Sequence, residues 1–115
     1  MPTVLLVEDN AHLSRLYSKT LLRAGMATVI AKNLAQAREL VKSSSPNIVL
    51  LDLNLPDGNG LSLLDVLTDE LKSRTIVVSG QEDASTQVYA AGLQHFLQKP
   101  VTLLRLVEVI NRVIG

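Results

Sequence analysis

Four short apolar runs of this chain end in residues that can do chemistry. Glu8 and Asp9 follow Val4–Val7, Asp52 follows Ile48–Leu51, and Ser79-Gly80 follows Ile76–Val78; Lys99-Pro100 stands just past Phe96-Leu97, and Asn54 lies two residues beyond Asp52. Three carboxylates brought together repel one another and favour a divalent cation with oxygen ligands. The chain has no cysteine, and neither of its two histidines stands at the end of such a run. A hard ion, Mg2+ or Mn2+, is therefore the expected cofactor. Lys99 and Ser79 would add a point charge and a hydroxyl donor. With the metal they form a pocket for three phosphoryl oxygens around one carboxylate, Asp52.

These residues meet only if the apolar runs are neighbouring strands. Val4–Val7 is a continuous β-branched and leucine run, short enough for a strand buried on both faces. From about Ala11 to Ala24 the period changes: Leu13, Leu16, Tyr17, Thr20, Leu21 and Ala24 fall at helical spacing, with Gly25 as a stop. Thr28–Ala31 is a second strand. Asn33 caps a helix with Leu34, Ala37, Leu40 and Val41 on one side, ended by Ser43-Ser44-Ser45-Pro46. Ile48–Leu51 is the most apolar strand. LPDGNG follows it, dense in turn residues, and then a single helix carrying Leu61, Leu64, Leu67 and Leu71. A fourth strand over 76–78, a short helix around Ala84–Ala91 stopped at Gly92, and a fifth strand at Phe96-Leu97 come next. Thr102 caps the last helix, whose Leu103, Leu106, Val107, Ile110, Val113 and Ile114 form its core stripe.

Five buried strands alternating with five helices specify one doubly wound α/β domain over residues 1–115, a parallel sheet covered on both faces. In such sheets ligands bind beyond the carboxyl ends of the strands. That is where the chemical residues fall, on every strand except the second, which ends near Lys32-Asn33.

Bulk properties narrow the partners. Eleven basic and eleven acidic side chains cancel in 115 residues, so there is no basic excess to suggest nucleic-acid binding. The absence of cysteine excludes disulfide frameworks, thiolate metal sites and cysteine nucleophiles. The start, MPTVLLVEDN, lacks the basic segment and long apolar stretch of a signal peptide, and no stretch approaches a membrane span. The expectation is a cytoplasmic protein away from membranes.

Glu8-Asp9, LLDLNLPDGNG around Asp52, Ser79-Gly80, and FLQKP with Phe96, Lys99 and Pro100 together resemble the receiver domains of two-component response regulators, the CheY-like superfamily. Each piece is weak alone; the ordered set at five-strand spacing, covering nearly the whole chain, is specific. The resemblance implies a flavodoxin-like three-layer sandwich with strand order 2-1-3-4-5. It makes Asp52 the nucleophile that takes a phosphoryl group from a phosphohistidine on a sensor histidine kinase or histidine phosphotransfer protein. Asp9 would bind Mg2+ directly and Glu8 through water, with further oxygens from Asp52 and the backbone carbonyl of Asn54. Lys99 would neutralise the phosphate, the Ser79 hydroxyl would bond it, and Gly80 would leave room for it. The Lys99–Pro100 bond is often cis in the family and holds the lysine in place. Phe96, where tyrosine is commoner, would rotate inward as Ser79 moves toward the phosphate, a two-state switch. Asn54 and Gln81 stand where the family tunes phosphate lifetime. The chain would be a phosphoacceptor rather than an enzyme, assisting its own phosphorylation and dephosphorylation. The segment from Ser79 to Lys99 is about two residues shorter than usual, which predicts a trimmed fourth helix or leading loop.

Each residue also has a plain reading. Asp52 alone could cap a turn; Glu8-Asp9 stand where they would cap the first helix as well. Gly58 and Gly60 serve turn geometry. His12 and His95 read as surface residues, so the donor histidine belongs to another protein. Leu104 and Val109 fall off the stripe of the last helix, as ordinary scatter or as part of a homodimer face. Two other functions fit parts of the pattern. One is a receiver-like interaction module that works without phosphorylation, although such modules usually lack part of the acidic set or the lysine. The other is an aspartyl-phosphate phosphatase of the haloacid-dehalogenase kind, which places its nucleophile after the first strand with a second acid two residues on; here the strand is the third and position 54 is Asn. No effector domain is present in these residues, and the end at Gly115 suits either a stand-alone regulator or a receiver from a longer regulator or hybrid kinase.

Overall fold

The structure, a computed structural model, describes residues 1–115. Five parallel strands form one sheet: β1 (Thr3–Val7), β2 (Ala27–Ala31), β3 (Ile48–Leu51), β4 (Thr75–Ser79) and β5 (His95–Gln98), in the order β2-β1-β3-β4-β5. The helices are α1 (Ala11–Arg23), α2 (Leu34–Ser44), α3 (Asp69–Ser73), α4 (Ala84–Ala90) and α5 (Leu103–Ile114).

Alternation along the strands divides the core into two. Leu5, Val7, Val49, Leu51 and Val77 point to one face and meet Leu34 and Ala37 of α2 and Ala84 and Val88 of α4. Val4, Leu6, Ile48, Leu50, Ile76 and Val78 point to the other and meet Tyr17 and Leu21 of α1 and Leu106 and Ile110 of α5. Successive side chains of a strand face opposite ways, so a run apolar at every position requires cover on both faces. Local signals set the helix starts: the side chains of Asn10, Asn33 and Thr102 accept from Leu13 N, Gln36 N and Arg105 N. The cap of α1 is thus Asn10, and not the Glu8-Asp9 pair expected to share that task.

Three further expectations change. The single helix predicted after LPDGNG is divided into a 3-10 helix over Gly60–Val66, an extended Leu67, and α3, capped by the Thr68 hydroxyl. Leu61, Leu64 and Leu67 recur every third residue, a spacing that suits a 3-10 helix as well as a sparse α-helical stripe. Val109, read as lying off the core stripe, is buried with Leu106 and Ile110, whereas Leu104 is 73 % exposed. α5 is apolar over a wider arc than the i, i+3, i+4 stripe allows for. Finally, His12 is exposed, but His95 is half-buried within β5.

Candidate functional site

Strand register brings the acids together. Val7 is level with Leu51 across β1 and β3, so the residues that follow, Glu8 and Asp52, are neighbours at the carboxyl edge. Both continue the even-numbered face of their strands, toward α1 and α5, and both are buried, at 3 % and 7 % exposure. Asp9, one residue further, is exposed. Oxygens of Glu8, Asp9 and Asp52 lie within 4.8 Å of one another. Lys99 comes in from the end of β5, where its backbone N donates to the Ser79 carbonyl at 3.0 Å. Its Nζ donates to Glu8 Oε1 at 2.7 Å and to Asp52 Oδ2 at 3.2 Å. The Lys99–Pro100 bond is cis.

The cluster disfavours the charge on Glu8 and favours that on Lys99. Burial pushes the Glu8 carboxyl up, only partly offset by its bonds from Lys99 and from the backbone N–H of Asn10. Burial alone would lower Lys99, but the Glu8 bond and the Asp52 charge outweigh it and hold the ammonium above its ordinary value. The two directions agree physically: one cation facing two carboxylates is well satisfied, while two carboxylates sharing one cation are not. Counted as ionised, three carboxylates and one ammonium leave two negative charges, which one divalent cation balances. The donors are all oxygens, as a hard divalent ion requires; the residues fit such an ion.

The remaining expected residues surround this cluster. Asn54 N donates to Asp52 Oδ1 at 3.3 Å, and the Asn54 side chain accepts from Gln81 Nε2. Ser79 is fully buried, and its Oγ accepts from Gln81 N at 3.2 Å. A Cβ on Gly80 would meet Lys99 Cβ at 3.7 Å, an ordinary contact, so the protein itself does not require glycine there. Phe96 is half-buried against the core on the α2–α4 face. The fourth helix is short, Ala84–Ala90.

Sequence reasoning missed three residues. Gly60 is not chiefly a turn residue: a Cβ there would lie 2.1 Å from the Asp52 carbonyl oxygen, so the chain passes directly against the backbone of Asp52. Only spacing from Asp52 could have hinted at this. Tyr17, read as a plain core position, is 4 % exposed and lines both the small void beneath Glu8 and Asp52 and the groove outside Lys99. Asp57, read only as part of a turn, reaches α2: Leu34 N donates to its Oδ1 at 2.8 Å and Ala35 N to its Oδ2 at 3.1 Å. Nothing local in the sequence signals that contact.

A five-stranded parallel sheet in this order, with an acidic cluster and a lysine at its carboxyl edge, defines a doubly wound α/β protein whose charged residues stand where such sheets bind ligands. Comparison with known proteins makes it specific. Residues 4–111 match the response regulator receiver domain family, and this chain belongs to that family. It is 35 % identical over 109 residues to the response regulator protein PilR of Pseudomonas aeruginosa, covering 92 % of this chain but 24 % of PilR. To the chemotaxis protein CheY of Bacillus subtilis it is 30 % identical over 116 residues, 97 % of each chain. Among solved structures, the non-phosphorylated HemR receiver domain from Leptospira biflexa superposes with a TM-score of 0.87 at 28 % identity, over 100 % of this chain and 95 % of that one. Receivers are signalling domains of two-component systems, and neither the phosphatase nor the interaction-module reading is favoured. No helix is long and apolar enough to cross a membrane.

Proposed function

We propose that Asp52 is the phosphoacceptor, taking a phosphoryl group from a phosphohistidine of a sensor kinase or phosphotransfer protein. The observation that carries this is the Lys99 ammonium bonded at once to Glu8 and Asp52 beside Asp9. An Asp52 oxygen attacks phosphorus, the P–N bond breaks, and its electron pair leaves on the imidazole. Glu8, Asp9, Asp52 and the Asn54 carbonyl would hold Mg2+, which supplies charge neutralisation for the phosphoryl oxygens. Lys99 exchanges its carboxylate partners for a phosphoryl oxygen, and the Ser79 hydroxyl, whose proton is free while Oγ accepts from Gln81 N, donates to another. Gly80 leaves the approach open. Movement of Ser79 then makes room for Phe96 to turn inward, which changes the surface. Asn54, bonded to Asp52 through its backbone and to Gln81 through its side chain, would with Gln81 govern access of water to the phosphate.

The donor's seat is a groove of about 450 Å3 between α1 and the Lys99–Leu103 segment, lined by Leu13, Leu16, Tyr17, Val101 and Leu103. Its continuity with Lys99 favours a helix bearing the phosphohistidine. α1 contains no acid and exposes Arg15 and Lys19, so that helix should carry acidic residues. With Val109 buried, Leu104 is what remains of the α5 face suggested for a second copy. The kinase reaction is fed by cytoplasmic nucleotide, and the same compartment is inferred for this chain.

Incubation with acetyl phosphate and Mg2+ should add one phosphate by mass, and Asp52→Asn should abolish it. Equal labelling of the variant would refute the assignment.

A further inference from the structure

The segment Asn54–Asn59 folds as a small antiparallel hairpin, Asn54 opposite Asn59 and Leu55 opposite Gly58, directly after Asp52. Pro56 and Asp57 form its tip, and Gly58 turns the chain at φ +146°. The tip is exposed but not free. Both Asp57 oxygens are engaged by the first two amides of α2, 23 and 22 residues earlier in the chain. Those amides have no acceptor within the helix, and a carboxylate there is favoured by charge-assisted bonds and by the helix dipole. The Leu34 bond, ahead of all else, holds the Asp57 carboxyl below its ordinary value. α2 also has a local cap, since Asn33 accepts from Gln36 N at 2.8 Å. The helix start therefore carries two caps, and only one of them belongs to the acceptor loop.

The other ends of the hairpin reach the site. Asn54 N donates to Asp52 Oδ1, and Gly60 N donates to Leu53 O at 2.9 Å. Asn59 Nδ2 donates to Gln87 Oε1 of α4 at 3.1 Å. The hairpin is thus held at its tip by α2 and at its base by the Asp52 carboxylate and the Leu53 carbonyl.

We propose that Asp57 is a positioning residue for the chemistry at Asp52, its two-oxygen hold on the start of α2 fixing the hairpin and so the Asn54 backbone beside the acceptor. This rests on the reading of Asp52 as acceptor and of Asn54 as a carbonyl ligand. Linkage makes the effect reciprocal: a cation or phosphoryl analogue that fixes the hairpin also tightens the cap on α2. The loop can transmit this because only a two-residue tip separates its paired strands and both ends are hydrogen-bonded.

The test compares Asp57→Ala and Asp57→Asn with Asn33→Ala, which weakens the same helix start without touching the hairpin. Mg2+ affinity is measured by NMR titration, labelling by acetyl phosphate at sub-saturating Mg2+, and amide exchange at Leu34 and Ala35 with and without Mg2+ and beryllofluoride. Asn33→Ala should leave Mg2+ affinity and labelling within about twofold of the unmodified chain, whereas Asp57→Ala should weaken Mg2+ binding by about fivefold or more, the lower end of typical couplings. Asp57→Asn, which keeps one acceptor, should fall between and remain folded if the alanine variant does not. In the unmodified chain the ligands should slow exchange at Leu34 and Ala35. Equal behaviour of the Asp57 and Asn33 variants, or exchange unmoved by ligand, overturns the inference while leaving Asp52 as acceptor. Failure of the unmodified chain to bind Mg2+ or take phosphate overturns both.

Discussion

Replacing Lys99 with methionine removes the only cation in contact with two buried carboxylates while keeping most of the side chain's apolar stem. The Glu8 and Asp52 side chains are 4 % and 9 % exposed, and that of Lys99 is 21 % exposed, so screening by solvent is limited. At an effective dielectric of about 20 the two contacts, at 2.7 and 3.2 Å, correspond to roughly 6 and 5 kcal/mol of gross attraction. Most of that offsets the desolvation of three charged groups. Removing one partner of such a cluster typically costs about 3–5 kcal/mol, because the others stay buried and unpaired. With part of Lys99 in solvent, about 3 kcal/mol is expected here. At a urea slope of about 1.5 kcal/mol per M, the unfolding midpoint in EDTA should fall by about 2 M. The formal charge of the cluster changes from two negative to three, so Mg2+ should bind the variant more tightly and recover much of the loss. The assay is urea unfolding of both chains in EDTA and in excess MgCl2. A loss in EDTA below about 1 kcal/mol, or a gap that Mg2+ fails to narrow, would refute the electrostatic account of the site.

Other outcomes follow from single residues. Gly60→Ala should destabilise by about 3 kcal/mol or prevent folding, since its Cβ would stand 2.1 Å from the Asp52 carbonyl oxygen. Gly80→Ala, whose Cβ meets only Lys99 Cβ at 3.7 Å, should stay within about 0.5 kcal/mol of the unmodified chain; thermal unfolding compares the two. Asp57 has its folded pKa lowered, chiefly by the Leu34 N–H, so its contribution is complete above the unfolded carboxyl value and is lost as pH falls through the folded one. The difference in unfolding midpoint between the unmodified chain and Asp57→Asn should accordingly be present at about pH 6 and shrink on acidification below about pH 4. A constant difference would show that charge plays no part in the cap.

The sheet, its five strands and most helix starts were legible because they depend on local sequence: apolar runs at every position, Asn33 and Thr102 at helix starts, glycines after α1 and α4. The region after Asp52 was legible as turn-rich but not in its form. A leucine every third residue does not distinguish a tight 3-10 segment from a sparse α-helical stripe until packing against α2 chooses. Val109 was misassigned for a related reason, since a stripe drawn from periodicity is narrower than the arc that the sheet and α1 actually cover.

By itself the sequence determined which residues end each strand, and hence that Glu8, Asp9, Asp52, Ser79 and Lys99 share one edge of one sheet. The tertiary structure alone decided how they meet there. Register set Glu8 beside Asp52, the path of β5 delivered a single ammonium to both, and the hairpin tied the acceptor loop to α2 through Asp57. The reason is range: a strand is specified by its own side chains, whereas a charge cluster and a cap supplied 23 residues away exist only once distant segments have packed.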